Sequence, residues 1–534
     1  MRWKRFFEPR MDAPLPAWTI FPVLFAALYA SHYGLLRLPY YWDEAGYYIP
    51  AAWDFFRTGS LIPQTTLTNG HPPLPSVYLA LWWRATGFLP EVTREAVLLV
   101  AALGLTAVWR LTMRLTGAVP VAFWTVLLTA LYPIWFVQSS LAHADIFAAA
   151  CSLWGLVYAL PGRDRRPVAA AAWFSAAALA KETAIVIPLA LALVCLAESL
   201  RALPPVRRRL LGEAAWLAAC TLPLAAWYLW HWSRTGFFFG NPEFLRYNAE
   251  ANLSPLRFLA AFFHRFLHLT AHMNLFVPVL MAAAAMMLDP RPDAAGNERA
   301  RIDPASLRRI AVLLLANLFL FSVLGGALLT RYLLPMHPLV LLVAVTTLYR
   351  RAPLWQALTA ISAGAFVLAL VLNPPYRFAP EDNLAYARVI RLHQAGVDEL
   401  TRRYPGATVL TAWPISDELA RPELGYLREP FQVYVLPDFT PASIARAGHE
   451  PERYSAALVF STKYDPQVVS LSLGRPGDVA DERYFGMHHD MAPEAIAREL
   501  GGELVWHGED RGQWIGLIRF NRQFEARAEA HPRR

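Results

Sequence analysis

AWTIFPVLFAALYASHYGLLRLPYYWDEAGYYIPAAWDFFRTG, residues 17–59, sets the reading of the whole chain. Its first stretch, 17–36, contains no Asp, Glu, Lys or Arg and is long enough to cross the roughly 30 Å hydrocarbon core of a bilayer as a helix. The residues after it form neither an apolar run nor a short turn. An acidic pair, Asp43 and Glu44, opens the segment EAGYYIPAAWDFFR, in which a helix places Tyr47, Tyr48, Ala51, Ala52 and Phe55 along one side and Gly59 closes the pattern. Its Trp and Tyr content suits a helix lying in the membrane interface. A second interfacial helix is expected after His71-Pro72-Pro73, through PSVYLALWWRATG. The loop from Arg37 to Pro90 is therefore structured rather than a mere connector, and its helices roof the membrane spans.

The rest of the chain is consistent with this start. Of its 534 residues, 56% are hydrophobic and the mean hydropathy is +0.30, more apolar than the roughly 45–50% usual for soluble domains. The net charge of +8 does not point to nucleic acid, because the arginines fall in short gaps between apolar runs instead of along one soluble face. Cys151, Cys195 and Cys220 all lie inside apolar runs, which argues against a disulfide framework or a cysteine metal site. The basic N-terminus MRWKRFFEPRMDAPLPAW precedes a run with no small-residue cleavage site, so the first helix reads as retained.

Apolar runs of spanning length fall near 17–36, 93–114, 118–137, 144–161, 167–181, 183–200, 213–231, 266–288, 309–329, 332–349 and 353–372. Arginine is concentrated in alternate gaps: the N-terminus, Arg163 to Arg166, Arg201 to Arg209, Arg291 to Arg309, and Tyr349-Arg350-Arg351. By the positive-inside rule those gaps are cytoplasmic, in a cell (inner or plasma) membrane. The loop 37–92, the turn before His143, the junction at Lys181, the loop 232–265, Arg331 and everything beyond 373 are then outside. Past 373 the chain turns polar. PEDNLAYARVIRLHQAGVDELTRRYPG has helical periodicity, while ATVLTAW, FQVYVL, SAALVFS and QWIGLIRF read as strands, giving a small α/β layer. The expected fold is a polytopic α-helical membrane protein of about eleven spans. Residues 1–372 form its membrane domain, with interfacial helices in the first outer loop, and residues 373–534 form an extracytoplasmic α/β domain.

Several ionisable residues are expected at the same outer level as Asp43 and Glu44. His143 and Asp145 open the fourth span, Lys181 and Glu182 separate two apolar runs with almost no loop, and Arg331 stands between the ninth and tenth. Ionisable groups at such depth generally face a cavity or a partner. Each also has a plainer role: Asp43 as a helix N-cap with Glu44 as a first-turn acid, Lys181 and Glu182 as a neutral turn, Arg331 reaching to headgroups, and His143 as a satisfied buried polar residue. The loop from Ser233 onward carries Arg234, Arg246, Tyr247, Asn248, Asn252, Arg257, His264 and Arg265 among aromatics. That mixture suits phosphate or sugar recognition, and it is also ordinary for an interfacial loop.

YYWDEAGYYIPAAWDFFRTG followed by NGHPPLPSVYLALWWRATG resembles the first outer loop of type C membrane glycosyltransferases, the group that contains protein O-mannosyltransferases and lipid A aminoarabinose transferases. AHADIFAAACSLWGLVYAL, ALAKETAIVIPLAL and RYLLPMHPLVLL are similar to later parts of these enzymes in the same order, so the resemblance covers roughly 17–350. It implies a polyprenyl-phosphate sugar as donor, its lipid tail among the helices, and a lipid, glycan or protein acceptor arriving from outside. By this resemblance Asp43 is the base and Glu44 orients the acceptor or tunes Asp43. Lys181, Arg331 and an arginine of the 233–265 loop, Arg234 or Arg265, hold the departing phosphate, with His71 beside phosphate or sugar. Asp43, Glu44 and Asp145 offer oxygen ligands for a divalent cation, but the lysine and arginines can stabilise the phosphate without one, so no cofactor is expected. A transporter or flippase of lipid-linked substrates, or a non-catalytic membrane scaffold, are the alternative readings.

Overall fold

A computed structural model describes residues 17–68, 71–162, 165–241, 246, 254–293, 296–464 and 475–520. The chain divides into two compact units. The first contains residues 1–36, 50–373 and 381–383; the second contains 37–49, 374–380 and 384–534. The division departs from a single cut at 372/373 in two places: residues 37–49 group with the C-terminal residues, and the short segment 381–383 groups with the membrane helices.

In the first unit the helices are α1 (Ala17–His32), α2 (Ile49–Thr58), α3 (Leu74–Thr86), α4 (Pro90–Thr116), α5 (Val119–Leu131), α6 (Pro133–Gln138), α7 (Ala144–Ala159) and α8 (Pro167–Ala180). They continue with α9 (Val186–Ser199), α10 (Pro204–Ala219), α11 (Thr221–Thr235), α12 (Pro255–Thr270), α13 (Phe276–Ala285), α14 (Pro304–Val323), α15 (His337–Arg351) and α16 (Trp355–Val371). Proline in the first turn opens α3, α4, α5, α8, α10, α12 and α14. There its fixed φ helps and its missing N–H costs nothing. The long α4 is the central post, packed by α1, α5 and α7. α7 and α8 form a tight hairpin, in which a Cβ on Gly155 would lie 2.4 Å from the Phe174 ring. Small residues at helix contacts give this close approach, the main packing device between helices in lipid.

Among the described residues four helices are long and apolar enough to cross a membrane: Pro90–Thr116, Glu182–Ser199, Pro204–Thr235 and Pro304–Val323. The bent pair Pro255–Asn274 and Phe276–Ala285 would make a fifth, and five shorter apolar helices accompany them. The sequence expectation of an unbroken span over 266–288 is corrected here. α12 and α13 meet at 97°, because Met273 and Asn274 take left-handed backbone (φ 49° and 64°). The flanking polar groups are tied elsewhere, His272 Nε2 to Asp382 Oδ2 at 2.8 Å and Asn274 Nδ2 to the Ala365 carbonyl at 2.8 Å. The expected run 118–137 is also two helices, since Tyr132 must adopt extended backbone ahead of Pro133. The run 309–329 ends at Val323 ahead of the Gly325-Gly326 turn.

In the second unit α17 (Ala385–Arg403), β1 (Thr408–Ala412), α18 (Ile415–Ala420), β2 (Gln432–Leu436), α19 (Pro441–Gly448), β3 (Ala456–Phe460), α20 (Arg475–Phe485), α21 (Pro493–Glu499), β4 (Glu503–Asp510) and β5 (Gln513–Arg519) build one sheet of order β2-β1-β3-β5-β4. β2, β1 and β3 are parallel; β5 and β4 complete the sheet in antiparallel pairing. The four expected strands are present. β4 had no clear signal, because its alternation is interrupted by an irregularity between Leu504 and Trp506.

Candidate active site

The acidic pair belongs to the second unit. Glu44–Tyr48 forms a π-helical turn that runs into α2, so the expected single stripe from Tyr47 to Phe55 is not one face. The extra residue per turn shifts the phase, leaving Tyr47 exposed while Tyr48 and Ala52 are buried. Asp43 makes no side-chain capping hydrogen bond to this turn. Glu44 is the locked member: it is fully buried, its backbone N–H donates to the Tyr41 carbonyl at 2.8 Å, and its Oε2 accepts from the Tyr41 N–H at 2.9 Å.

The turn is seated on the segments that flank α18. Tyr40 N–H donates to the Leu424 carbonyl at 3.1 Å and the Tyr426 hydroxyl donates to the Tyr40 carbonyl at 3.1 Å. Trp413, immediately after β1, packs its ring against Trp42 at 5.1 Å and Tyr47 at 6.1 Å between centroids. A Cβ on Gly46 would stand 2.8 Å from the Trp413 indole nitrogen, so glycine is required there. Trp42 carries φ 47°, strained backbone for a bulky residue. Asp417, in the first turn of α18, has its pKa raised by burial, partly offset by Arg421 and by a hydrogen bond from Trp413.

The other expected residues lie in the first unit, where a buried ionic network joins three of them. Asp145, in the first turn of α7, accepts from Lys181 Nζ at 2.6 Å and faces Arg331 Nε at 3.3 Å. Lys181, in extended backbone just past α8, also stands 4.0 Å from the Tyr332 ring centroid. Arg331 ion-pairs with Glu381 and lies 3.4 Å from His143 Nδ1, and that ring nitrogen is 2.9 Å from Gln138 Oε1. Lys181, Arg331, Asp145 and Glu381 are at most 6% exposed. Two cations thus face two carboxylates, a balanced charge set of the kind that makes ionised groups tolerable away from water. Next to Glu381, Asp382 Oδ2 accepts from the Thr330 hydroxyl at 2.9 Å and pairs with His272.

Arg265 was expected to face a donor phosphate; the structure turns it to the chain itself. Its Nε, Nη1 and Nη2 donate to the carbonyls of Phe321 (3.2 Å), Leu329 (2.6 Å) and Ala327 (3.3 Å). Arg257 donates to Gly325 O at 2.8 Å. Together they clamp the loop that delivers Arg331. Arg94 holds the turn before His143 in the same way, through the Ser140 carbonyl at 2.7 Å. His71 Nδ1 pairs with Glu182 Oε2 at 2.8 Å, next to Lys181 in sequence. Arg234 is exposed in the last turn of α11, 5.8 Å from the Trp230 ring, and is not brought to the network. Tyr247 and Asn248 lie outside the described residues. Among the described residues no group of three or more His, Cys, Asp or Glu has the arrangement to hold a metal ion. Sequence reasoning missed Glu381, Asp382 and His272; the only signal was their charge or polarity within and just past apolar runs.

Long apolar helices and one small mixed sheet make up a fold with solved counterparts. Two solved structures carry it over nearly their full length. ArnT from Cupriavidus metallidurans in the apo state has a TM-score of 0.53 at 16% identity, covering 94% of this chain and 98% of that one. The same protein bound to undecaprenyl phosphate has a TM-score of 0.56 with the same identity and coverage. No family model matches the sequence, and no curated protein is similar to it in sequence.

Proposed function

We propose that this protein is a membrane glycosyltransferase that moves a sugar from a polyprenyl-phosphate donor to an acceptor. The observation that carries the reading is the buried Asp145–Lys181–Arg331–Glu381 network, found in a fold whose solved example binds undecaprenyl phosphate. Ionisable residues inside a membrane unit, even when paired with one another, mark substrate and ion pathways. In the proposed reaction an acceptor hydroxyl attacks the anomeric carbon as its proton passes to Asp43. The bond from that carbon to the phosphate oxygen breaks, and polyprenyl phosphate leaves with the bonding pair. Lys181 and Arg331 stabilise the developing phosphate charge, Asp145 and Glu381 keep them in place, and His71 contacts phosphate or sugar from its pair with Glu182. Glu44 fixes the turn that presents Asp43.

The test uses the purified full chain in lipid nanodiscs with a radiolabelled polyprenyl-phosphate sugar and a membrane extract as acceptor source. Label is expected to move covalently to the extract, with undecaprenyl phosphate inhibiting as a product. The broken α12–α13 pair favours a second reading, since transporters use interrupted helices at substrate sites. Movement of intact labelled lipid across the bilayer without covalent transfer would establish that reading instead.

We further propose the eleven-span topology, in the cell membrane, with the N-terminus cytoplasmic and the C-terminal domain outside. A cysteine placed at exposed Glu503 is expected to react with an impermeant maleimide in intact cells or spheroplasts. A cysteine at exposed Arg208 is expected to react only after lysis. The reverse pattern overturns the orientation.

A further inference from the structure

We infer that Trp42, Tyr47 and Trp413 form a cradle for a sugar ring beside Asp43, with one wall supplied by the C-terminal sheet. The inference rests on the glycosyltransferase reading for the identity of its ligand. Three rings meet at the C-terminal end of β1, the end of parallel strands where α/β layers ordinarily bind ligands. Tyr47 is 36% exposed, and Trp42, Trp413 and Asp43 are each partly exposed. Rings that served only to fill a core would be covered.

Two further features show a built arrangement. Trp42 is held at φ 47°, and strain of this kind persists where surrounding structure fixes a side chain for use. Gly46 lets the Trp413 indole come closer than any Cβ would permit, setting the Trp42–Trp413 pair at 74° between ring planes. Asp43 follows Trp42 directly in sequence, and Asp417 accepts a hydrogen bond from Trp413. An acyl chain placed there would strip water from those carboxylates with nothing returned. A sugar ring presents an apolar C–H face to the aromatic planes and hydroxyls at its rim for the carboxylates to accept from.

The ring can belong to the donor or to the acceptor, and the experiment separates them. Saturation-transfer difference NMR on the full chain in nanodiscs uses methyl glycosides of a hexose, a hexosamine and a pentose as probes. Ring C–H protons of at least one probe are expected to be saturated. Tyr47→Ala is expected to raise its half-saturating concentration about tenfold, with Tyr47→Phe close to wild type and the thermal midpoint unchanged. Trp413→Phe is expected to act in the same direction. In the transfer assay, a rise in half-saturation for the labelled donor places the donor sugar in the cradle; a rise for the membrane extract places the acceptor sugar there. No contact with any of the three probes, or equal behaviour of Tyr47→Ala and wild type, overturns the cradle. Probe binding without transfer by the wild-type chain sinks the glycosyltransfer reading and leaves the cradle standing.

Discussion

Asp43→Asn is expected to reduce sugar transfer by about a thousandfold while leaving the protein folded and inserted. General-base assistance contributes on the order of 10²–10⁴ in rate, and an amide cannot take the acceptor's proton. The amide keeps the size and shape of the carboxylate, and other groups also hold the turn. Asp43 makes no side-chain capping hydrogen bond, whereas Glu44 closes the turn on Tyr41 and Gly46 is packed under Trp413. Transfer is measured at saturating donor together with the thermal midpoint. A rate near wild type removes Asp43 from the chemistry.

Arg331→Met is expected to abolish transfer and undecaprenyl phosphate binding and also to destabilise the membrane unit by about 3–5 kcal/mol, the usual cost of deleting one partner of a buried ion pair. Asp145 keeps Lys181, but Glu381 loses its arginine in a site that is 4% exposed. The double change Arg331→Met with Glu381→Gln is expected to regain most of that stability without regaining lipid-phosphate binding. Thermal unfolding in detergent and binding of labelled undecaprenyl phosphate track the two effects separately. If the double variant binds the lipid phosphate as wild type does, Arg331 is a structural ion and the phosphate role falls to other groups.

How much could be read from the sequence depends on how far each signal reaches. Lys181, Asp145 and Arg331 stood out because a charge at the edge of an apolar run is expensive wherever the chain goes, and the structure joins them in one network. Glu381 did not stand out. It lies in PEDN, a polar stretch with helical periodicity, where an acid costs nothing until tertiary structure buries it. The helix break at Met273 was hidden for a related reason: hydropathy continues through HMNLF, and only the long-range bonds of His272 and Asn274 redirect the backbone. Arg265 shows the limit of residue type as evidence. An arginine among aromatics suits an anion, yet here carbonyls at the end of α14 and in the loop after it take its donors. Likewise, nothing local tells Tyr40 and Trp42 that their neighbours will be Leu424 and Trp413.

The segment 381–383 carries a practical lesson for anyone trimming this protein. The chain leaves α16, contributes 374–380 to the second unit, returns three residues to the membrane unit, and only then enters the sheet-bearing domain for good. A truncation at the polarity change near 373 would look like removal of an appended domain. It would also amputate the acids that hold Arg331, Thr330 and His272 and strip residues 37–49 of the unit they fold with. Loss of activity in such a fragment would report a broken ionic core, not the domain's own contribution; a deletion that begins after Asn383 spares that core but still leaves residues 37–49 without the unit they fold with.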